Sequence, residues 1–199
     1  MTGPKPSHFE RLGLAPSFRL DEEELAQRFR RLQAAVHPDR FAGGSPAERR
    51  LALQLAADGN EAYRVLSNPT LRAAHLCEVS GVPVDAERNT SMSPSFLRAQ
   101  MEYRERIDEI DEMAARDDCR RALHALRADI DGARARTREE VARLLDDVRD
   151  PAGAAAVVRE LMFHDKLLEE LRRIERRIER EDDAGTPSGT RDANRAPAR

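Results

Sequence analysis

The chain has 199 residues, of which 36% are charged and 4% aromatic, and it contains no Trp. This composition favours helices with solvated faces over a β-rich core, so we expect an all-α protein, and the length allows one large domain or two small ones. A formal net charge of −3 excludes a global attraction to nucleic acid or to anionic membranes.

Two capped helices are predicted at the start of the chain. Ser7 followed by Glu10 is a capping-box pattern, and Gly13 should end this short first helix. Asp21 can cap the second helix, whose apolar residues recur at helical spacing and therefore share one face. The residues of this predicted core face are Leu25, Phe29, Leu32 and Val36.

A loop and two more helices follow. Because Pro38 disfavours helical geometry at the preceding residue, the second helix should end near His37. Ser45-Pro46-Ala47-Glu48 is a strong start pattern for a third helix, which should fold back on the second as an antiparallel hairpin. Asn68-Pro69 should start a fourth helix that stops at Gly81. The third helix is predicted to pack on the second through Leu51, Leu55, Ala62, Val65 and Leu66.

The composition then changes. The segment 81–93 holds Gly, Pro, Asn, Thr and Ser without a helical period, so we predict a linker there between a first domain, 1–80, and a second, 94–180. Three long amphipathic helices joined by short connections predict a three-helix bundle for the second domain. Residues 181–199 lack large apolar side chains, which predicts a disordered tail.

The tripeptide His37-Pro38-Asp39 carries the main functional information. Alone it is weak evidence, because Pro and Asp are ordinary turn residues. Its context adds to it, since it lies between two capped helices with Arg30 and Arg31 before it and Arg40 directly after it. For the arginines taken alone, a solvated helix face is the simpler interpretation.

This order of elements over residues 7–76 resembles the J domain, a module that docks on an ATP-bound heat-shock ATPase and stimulates hydrolysis. The resemblance implies that Asp39 offers a carboxylate to a basic residue of the ATPase, while Pro38 fixes the loop and His37 adds hydrogen bonds. The basic residues that would meet acidic surface on the partner are Arg30, Arg31 and Arg40. The chain is then an activator and no enzyme itself. A general base or metal ligand at His37 is the weaker alternative, since no second ligand lies nearby at metal spacing.

Further motifs resemble the HscB family, the dedicated co-chaperones of iron-sulfur cluster assembly. They run to about Arg180 and comprise His37-Pro38-Asp39-Arg40-Phe41, Asn68-Pro69 with Arg72-Ala73, Phe96-Leu97 with Met101-Glu102-Tyr103-Arg104-Glu105, and Leu161-Met162-Phe163-His164-Asp165-Lys166-Leu167. The Gly/Phe-rich linker and zinc modules of general folding co-chaperones are missing from the sequence. The resemblance implies two partners, an IscU-type scaffold protein and a heat-shock protein 70 family ATPase of the HscA or DnaK type.

In that family an apolar patch with an acidic rim, on the outer face of the bundle, holds the scaffold. By position, the apolar residues would be Leu97, Met101 and Phe163. The rim would consist of Glu102, Glu105 and Glu109. Helical spacing supports this, because Leu97, Met101 and Glu105 step by four, but Arg98 stands where the family tends to have an apolar residue. The alternative is that the three apolar residues are simply bundle core.

The sequence offers little for cofactors or for other compartments. Cys77 and Cys119 stand alone, so we expect reduced packing residues, no metal and no cofactor. We find no membrane-spanning run, no targeting segment and none of the N-terminal CxxC pairs of many eukaryotic members, and we therefore expect a bacterial cytoplasmic protein.

Two other functions remain open from the sequence. The chain could be a J-domain adaptor for a different client. The Arg-rich run from Arg116 to Arg143 could also bind nucleic acid, although acidic residues interleave with its arginines and stacking aromatics are absent.

Overall fold

The part of the chain that the structure describes is built from helices. The computed structural model describes residues 5–84, 93–113 and 115–185. The first half contains α1 (His8–Leu12), α2 (Glu22–Ala35), a 3₁₀ turn (Pro38–Phe41), α3 (Pro46–Ser67) and α4 (Pro69–Val79). The second half contains α5 (Pro94–Asp111), α6 (Arg116–Ala142), a π-helical turn (Arg143–Val148) and α7 (Pro151–Gly185). The predicted all-α fold class is confirmed.

The predicted helix starts form where local side chains satisfy the first backbone N–H groups. Capping boxes join Ser7 with Glu10 and Ser45 with Glu48. The predicted starts at Asp21 and Asn68 also accept backbone N–H groups, and Ser93 does the same for α5. Gly13 ends α1 with a φ of 65°, a left-handed conformation that favours glycine.

The face through which α3 packs on α2 was only partly predicted. Residues buried as expected are Ala62, Val65 and Leu66. The assignment of Leu51 and Leu55 to this face is wrong, because their side chains are 60% and 41% exposed. Small residues face α2 instead: Ala52 is buried, and a Cβ on Gly59 would lie only 2.4 Å from Cδ2 of Leu32. The two helices thus approach closely along a path of small side chains.

Helices α5, α6 and α7 form the predicted three-helix bundle. Contacts between α5 and α7 advance in the same direction, from Phe96 against Phe163 to Arg104 against Glu170, so these helices run parallel. Ion pairs show that α6 runs the opposite way to α7: Arg134 with Asp165, Arg127 with Glu175 and Arg116 with Glu181. The centre of the bundle is apolar and includes the fully buried Leu126, Ile130, Leu167 and Leu171.

A second apolar cluster joins the two halves of the chain, and we call this contact the junction. Its members from the first half include Phe9, Leu12, Phe18, Leu25, Leu66 and Leu76. Its members from the second half are Val141, Ala142, Leu144, Ala154, Ala155 and Val158. Because one continuous core spans both halves, the first half is packed against the base of the bundle and not merely tethered to it.

Polar contacts fix the junction at two places. Asp146, in the π-helical turn, accepts the backbone N–H of Phe18 through Oδ1 at 2.8 Å and that of Arg19 through Oδ2 at 2.7 Å. At the other side, Asp165 of α7 accepts hydrogen bonds from Thr70 Oγ1 and Arg134 Nε, both at 2.5 Å. A carboxylate that accepts several donors holds its neighbours in one geometry.

The ends of the predicted linker and tail differ from expectation. Val84, placed in the linker, is 7% exposed, and its carbonyl oxygen accepts from Arg159 Nη1 at 3.1 Å. Helix α7 continues to Gly185 although the tail was predicted from 181, because Ile178 is buried and Glu181 pairs with Arg116 at 3.2 Å. The remaining linker residues, 85–92, and tail residues, 186–199, lie outside the described residues, and the domain division stays a prediction.

We expect Asp146→Ala to lower the free energy of unfolding by about 2 kcal/mol, because two backbone N–H groups lose a charged acceptor and that of Phe18 is partly buried. Urea denaturation followed by circular dichroism measures this loss. The neighbouring Asp147→Ala is the control, since Asp147 pairs with the exposed Arg19 side chain and its loss should change stability little. Equal losses in the two variants would contradict the role of Asp146.

Candidate functional site

The His37-Pro38-Asp39 loop lies at the open end of the α2–α3 hairpin. Nδ1 of His37 accepts the backbone N–H of Asp39 at 3.3 Å and so caps the 3₁₀ turn. This acceptor role needs the neutral ring with its proton on Nε2. The Asp39 side chain is 90% exposed, and its Oδ2 lies 3.6 Å from His37 Nδ1. The loop therefore presents a carboxylate to solvent on a backbone that its own histidine holds in place.

The arginines near this loop differ in whether another group of the chain binds their guanidinium. Arg28 is paired with Glu24 one turn earlier, at 3.0 Å. Arg30 and Arg31 are exposed, and within the described part of the chain no carboxylate lies within ion-pair distance of either. Arg40 donates from Nη1 to the carbonyl oxygen of Ala34 at 3.4 Å. The two unpaired guanidinium groups are thus available to an external acidic surface.

An exposed leucine beside the loop, Leu53, was missed in the sequence. Leu51 and Leu53 on α3 are both 60% exposed. Leu53 also lines a cleft of about 110 Å³ together with Val36, Pro38 and Phe41. The spacing of the leucines could have indicated an exposed one. Leucines two residues apart point to opposite sides of a helix, so 51, 53 and 55 could not all be core.

The second predicted site lies on α5. Leu97 is 45% exposed and Met101 is 63% exposed, so the explanation that they are bundle core is wrong for these two. The three predicted acidic residues are exposed on the same helix: Glu102, Glu105 and Glu109. We call these five residues the α5 patch. Arg98, beside Leu97, is exposed as well and interrupts the apolar surface.

Phe163, the third predicted apolar residue, is half-buried. Its ring meets that of Phe96 edge to face, with centroids 5.5 Å apart, and it packs on the bundle core. Phe96 itself is 7% exposed and directly precedes Leu97. Phe163 therefore contacts α5 through Phe96, and core packing accounts for part of its burial.

His164 lies under the same aromatic contact, and its place there was not predicted. It is 4% exposed, its ring meets Phe96 edge to face at 5.8 Å, and its buried Nδ1 has no hydrogen-bond partner in the described residues. Burial lowers the pKa of His164 below its ordinary value. The charge of Asp165 raises this pKa, whereas the cations Arg134 and Arg136 lower it further. The neutral form of the ring is thus favoured in its place beside Phe96.

Three further features concern the cysteines, metal ligands and membrane spans. Cys77 and Cys119 are both buried, as predicted, and burial raises the pKa of the Cys77 thiol to about 11. Among residues 5–84, 93–113 and 115–185, no three His, Cys, Asp or Glu side chains are grouped as metal ligands. No helix in those residues combines the length and apolar character of a membrane span.

The Arg-rich run on α6 is largely neutralised by ion pairs. These pairs include Arg121 with Asp118, Arg127 with Glu175, Arg134 with Asp165 and Arg143 with Glu140. A salt-bridged helix surface explains the composition of the run better than a nucleic-acid site does.

Comparison with known proteins identifies relatives over most of the chain. A family model described as the HSCB C-terminal oligomerisation domain matches residues 92–172. The "Co-chaperone protein HscB homolog" of Bordetella petrii is 48% identical over 165 residues, which cover 82% of this chain and 93% of the relative. That of Burkholderia multivorans is 45% identical over 172 residues, 86% of this chain and 95% of the relative.

Two solved structures share the architecture. The chaperone HscB from Vibrio cholerae superposes with a TM-score of 0.74 at 32% identity, covering 87% of this chain and 99% of that one. The human co-chaperone protein HscB superposes with a TM-score of 0.77 at 21% identity, covering 87% of this chain and 84% of that one. The human protein supports the fold alone.

The lowered pKa of His164 predicts a loss of stability on acidification. In the unfolded chain this histidine takes up a proton near pH 6.5, whereas the folded chain resists protonation until a lower pH. Unfolding is therefore favoured as the pH falls through 6.5, until the folded-state pKa is reached. In His164→Leu, urea denaturation should show a smaller loss of stability over this range.

Part of the loss should persist in that variant, since burial also lowers the pKa of His8. His124→Gln is the control, because His124 is exposed and the variant should keep the dependence of the wild-type chain. A His164→Leu profile identical to that of the wild-type chain would contradict the prediction.

Proposed function

Since the chain belongs to the HscB family of co-chaperones, we propose that it delivers an iron-sulfur scaffold protein to a heat-shock protein 70 family ATPase and stimulates ATP hydrolysis by that partner. The observation that carries the proposal is one chain with two separate exposed surfaces, the Asp39 loop and the α5 patch, on two halves that pack together at the junction. The bacterial relatives support a role in the bacterial cytoplasm.

The Asp39 loop and its surroundings have the chemistry that an ATPase partner requires. The exposed carboxylate of Asp39 can accept charge-assisted hydrogen bonds from a cation of the partner. Because His37 and Pro38 already hold the turn, little ordering is needed on binding. Arg30 and Arg31 add unpaired positive charge that favours encounter with an acidic surface. Leu53, in the cleft beside Pro38, extends the surface with apolar area.

The α5 patch has the chemistry of a protein-binding surface. Exposed Leu97 and Met101 offer apolar area, and Met adapts to irregular partners because its side chain is flexible. The glutamates around them favour a scaffold surface that is apolar at its centre and basic at its edge. Phe163, braced by Phe96, would add to the patch from α7.

The junction gives the two surfaces a joint effect. When one chain binds both partners, the scaffold reaches the ATPase at a raised effective concentration. This gain depends on geometry, and the hydrogen bonds of Asp146 and Asp165 support a fixed relation between the loop and the patch. The chain would act as an adaptor that binds no cluster itself.

Asp39→Asn should reduce stimulation of the partner ATPase by about tenfold or more, because a charge-assisted contact becomes a neutral one. Steady-state ATP hydrolysis by the purified ATPase measures this. Glu23→Gln removes the same charge from an exposed site at the start of α2 and should leave stimulation unchanged. Full stimulation by Asp39→Asn would exclude the proposed contact.

Leu97→Ala combined with Met101→Ala should weaken binding of the purified scaffold by about tenfold or more, because two exposed apolar contacts are truncated. Calorimetric titration measures the affinity. Leu55→Ala with Val79→Ala truncates two other exposed apolar residues and should bind normally. Absence of binding by the wild-type chain would instead favour another client, and equal binding by the α5 variant would place the scaffold elsewhere.

A further inference from the structure

Arg72 of α4 is a buried cation that pairs with no carboxylate among the residues the structure describes. Its side chain is 3% exposed, its Nη1 donates to the carbonyl oxygen of Leu66 at 2.8 Å, and its guanidinium lies 5.3 Å from the ring centre of Phe18. Its buried Nε has no hydrogen-bond partner in the described residues. Burial lowers the pKa of Arg72, which reflects the cost of an uncompensated charge.

The carboxylates near Arg72 are engaged elsewhere or act from a distance. Both oxygens of Asp146 accept backbone N–H groups, and Glu22 influences Arg72 only through its field. A buried guanidinium ordinarily has a paired anion, because its desolvation is otherwise not offset. In Arg72, the Nε–H group is left without an acceptor in the described residues.

Arg72 lines a cavity of about 330 Å³ at the junction, between the loop that precedes α2 and the side of α6. The charged residues around it are Arg19, Glu22, Arg72, Arg138 and Glu139. The volume is several times that of a water molecule in the liquid, about 30 Å³, so a small anion fits with some of its water. The cavity is thus lined by more arginines than glutamates and is large enough for a ligand.

Two of the three arginines in the lining are available. Arg19 is engaged by Glu139 at 2.9 Å and by Asp147 at 2.8 Å. Arg138 is half-buried, close enough to lower the pKa of Arg72, and forms no ion pair within the described part of the chain. Because Arg19 is held by Glu139 and Asp147, Glu22 is the remaining carboxylate of the lining that faces Arg72 and Arg138, and the pair can accept one further negative charge.

The positions of the two available arginines select the shape of the anion. Arg72 belongs to α4 and Arg138 to α6, so the two side chains line the cavity from different elements. A guanidinium binds best along an edge formed by two oxygens. A carboxylate has one such edge, whereas a tetrahedral oxyanion has several and can serve both arginines. We propose that this cavity binds a small, singly charged tetrahedral oxyanion of the phosphate class between Arg72 and Arg138.

Such an anion would bridge the two halves of the chain and stabilise the junction by mass action. The test is a titration of the full chain with inorganic phosphate at constant ionic strength and slightly acidic pH, where the singly charged form predominates. Nuclear magnetic resonance of arginine Nε–H groups should show saturable shifts of Arg72 and Arg138, with a dissociation constant on the order of millimolar.

Arg138→Gln should weaken this binding by about tenfold or more, while the fold survives because Arg138 forms no ion pair in the described residues. Arg136→Gln is the matched control, since Arg136 is exposed on the same helix and does not line the cavity. The absence of saturable shifts, an unchanged affinity in Arg138→Gln, or equal shifts with acetate or chloride would each overturn the proposal.

Discussion

The arrangement of the two halves depends on how the backbone of Phe18 and Arg19 is bound. Asp146 accepts two consecutive backbone N–H groups, from Phe18 and Arg19, where the first half meets the end of α6. Backbone donors at a contact between two folding units must find acceptors, because water is partly excluded there. Once these donors are satisfied, the apolar residues on both sides can close into one core. The Asp39 loop and the α5 patch then occupy definite positions on a common body.

The boundaries of the helices were accessible from sequence because their causes are local. Ser45 and Glu48 satisfy each other's backbone groups within one turn, and no distant residue is needed. The α3 core face was harder to predict, because it depends on how closely α2 approaches. Gly59 lies against Leu32, and Leu51 is exposed although hydrophobicity alone would have placed it inward. The junction was not predicted at all, since Asp146 and Phe18 are far apart in sequence.

In the candidate sites, too, some features could be predicted from the sequence and others could not. The spacing of Leu97 and Met101 indicated a shared stripe, and their exposure agrees with a surface role. Sequence could not separate Phe163 from the core, because its burial is set by the ring of Phe96 on another helix. His164 and Arg72 are ordinary polar residues in sequence, and only packing makes them a buried neutral ring and a buried cation. Side chains whose state depends on tertiary surroundings are therefore the ones that pattern reasoning misses.

The π-helical turn from Arg143 to Val148 has a consequence for how this fold can vary. A π turn accommodates one residue more than an α turn, and Asp146 lies within it. Deleting a single residue here would restore regular winding and rotate Asp146 by about 100° around the helix axis, away from the loop that it binds. Arg149, with a φ of 60°, directs the chain into α7 immediately afterwards. The register of this turn, more than the identity of most of its side chains, thus constrains insertions and deletions between α6 and α7.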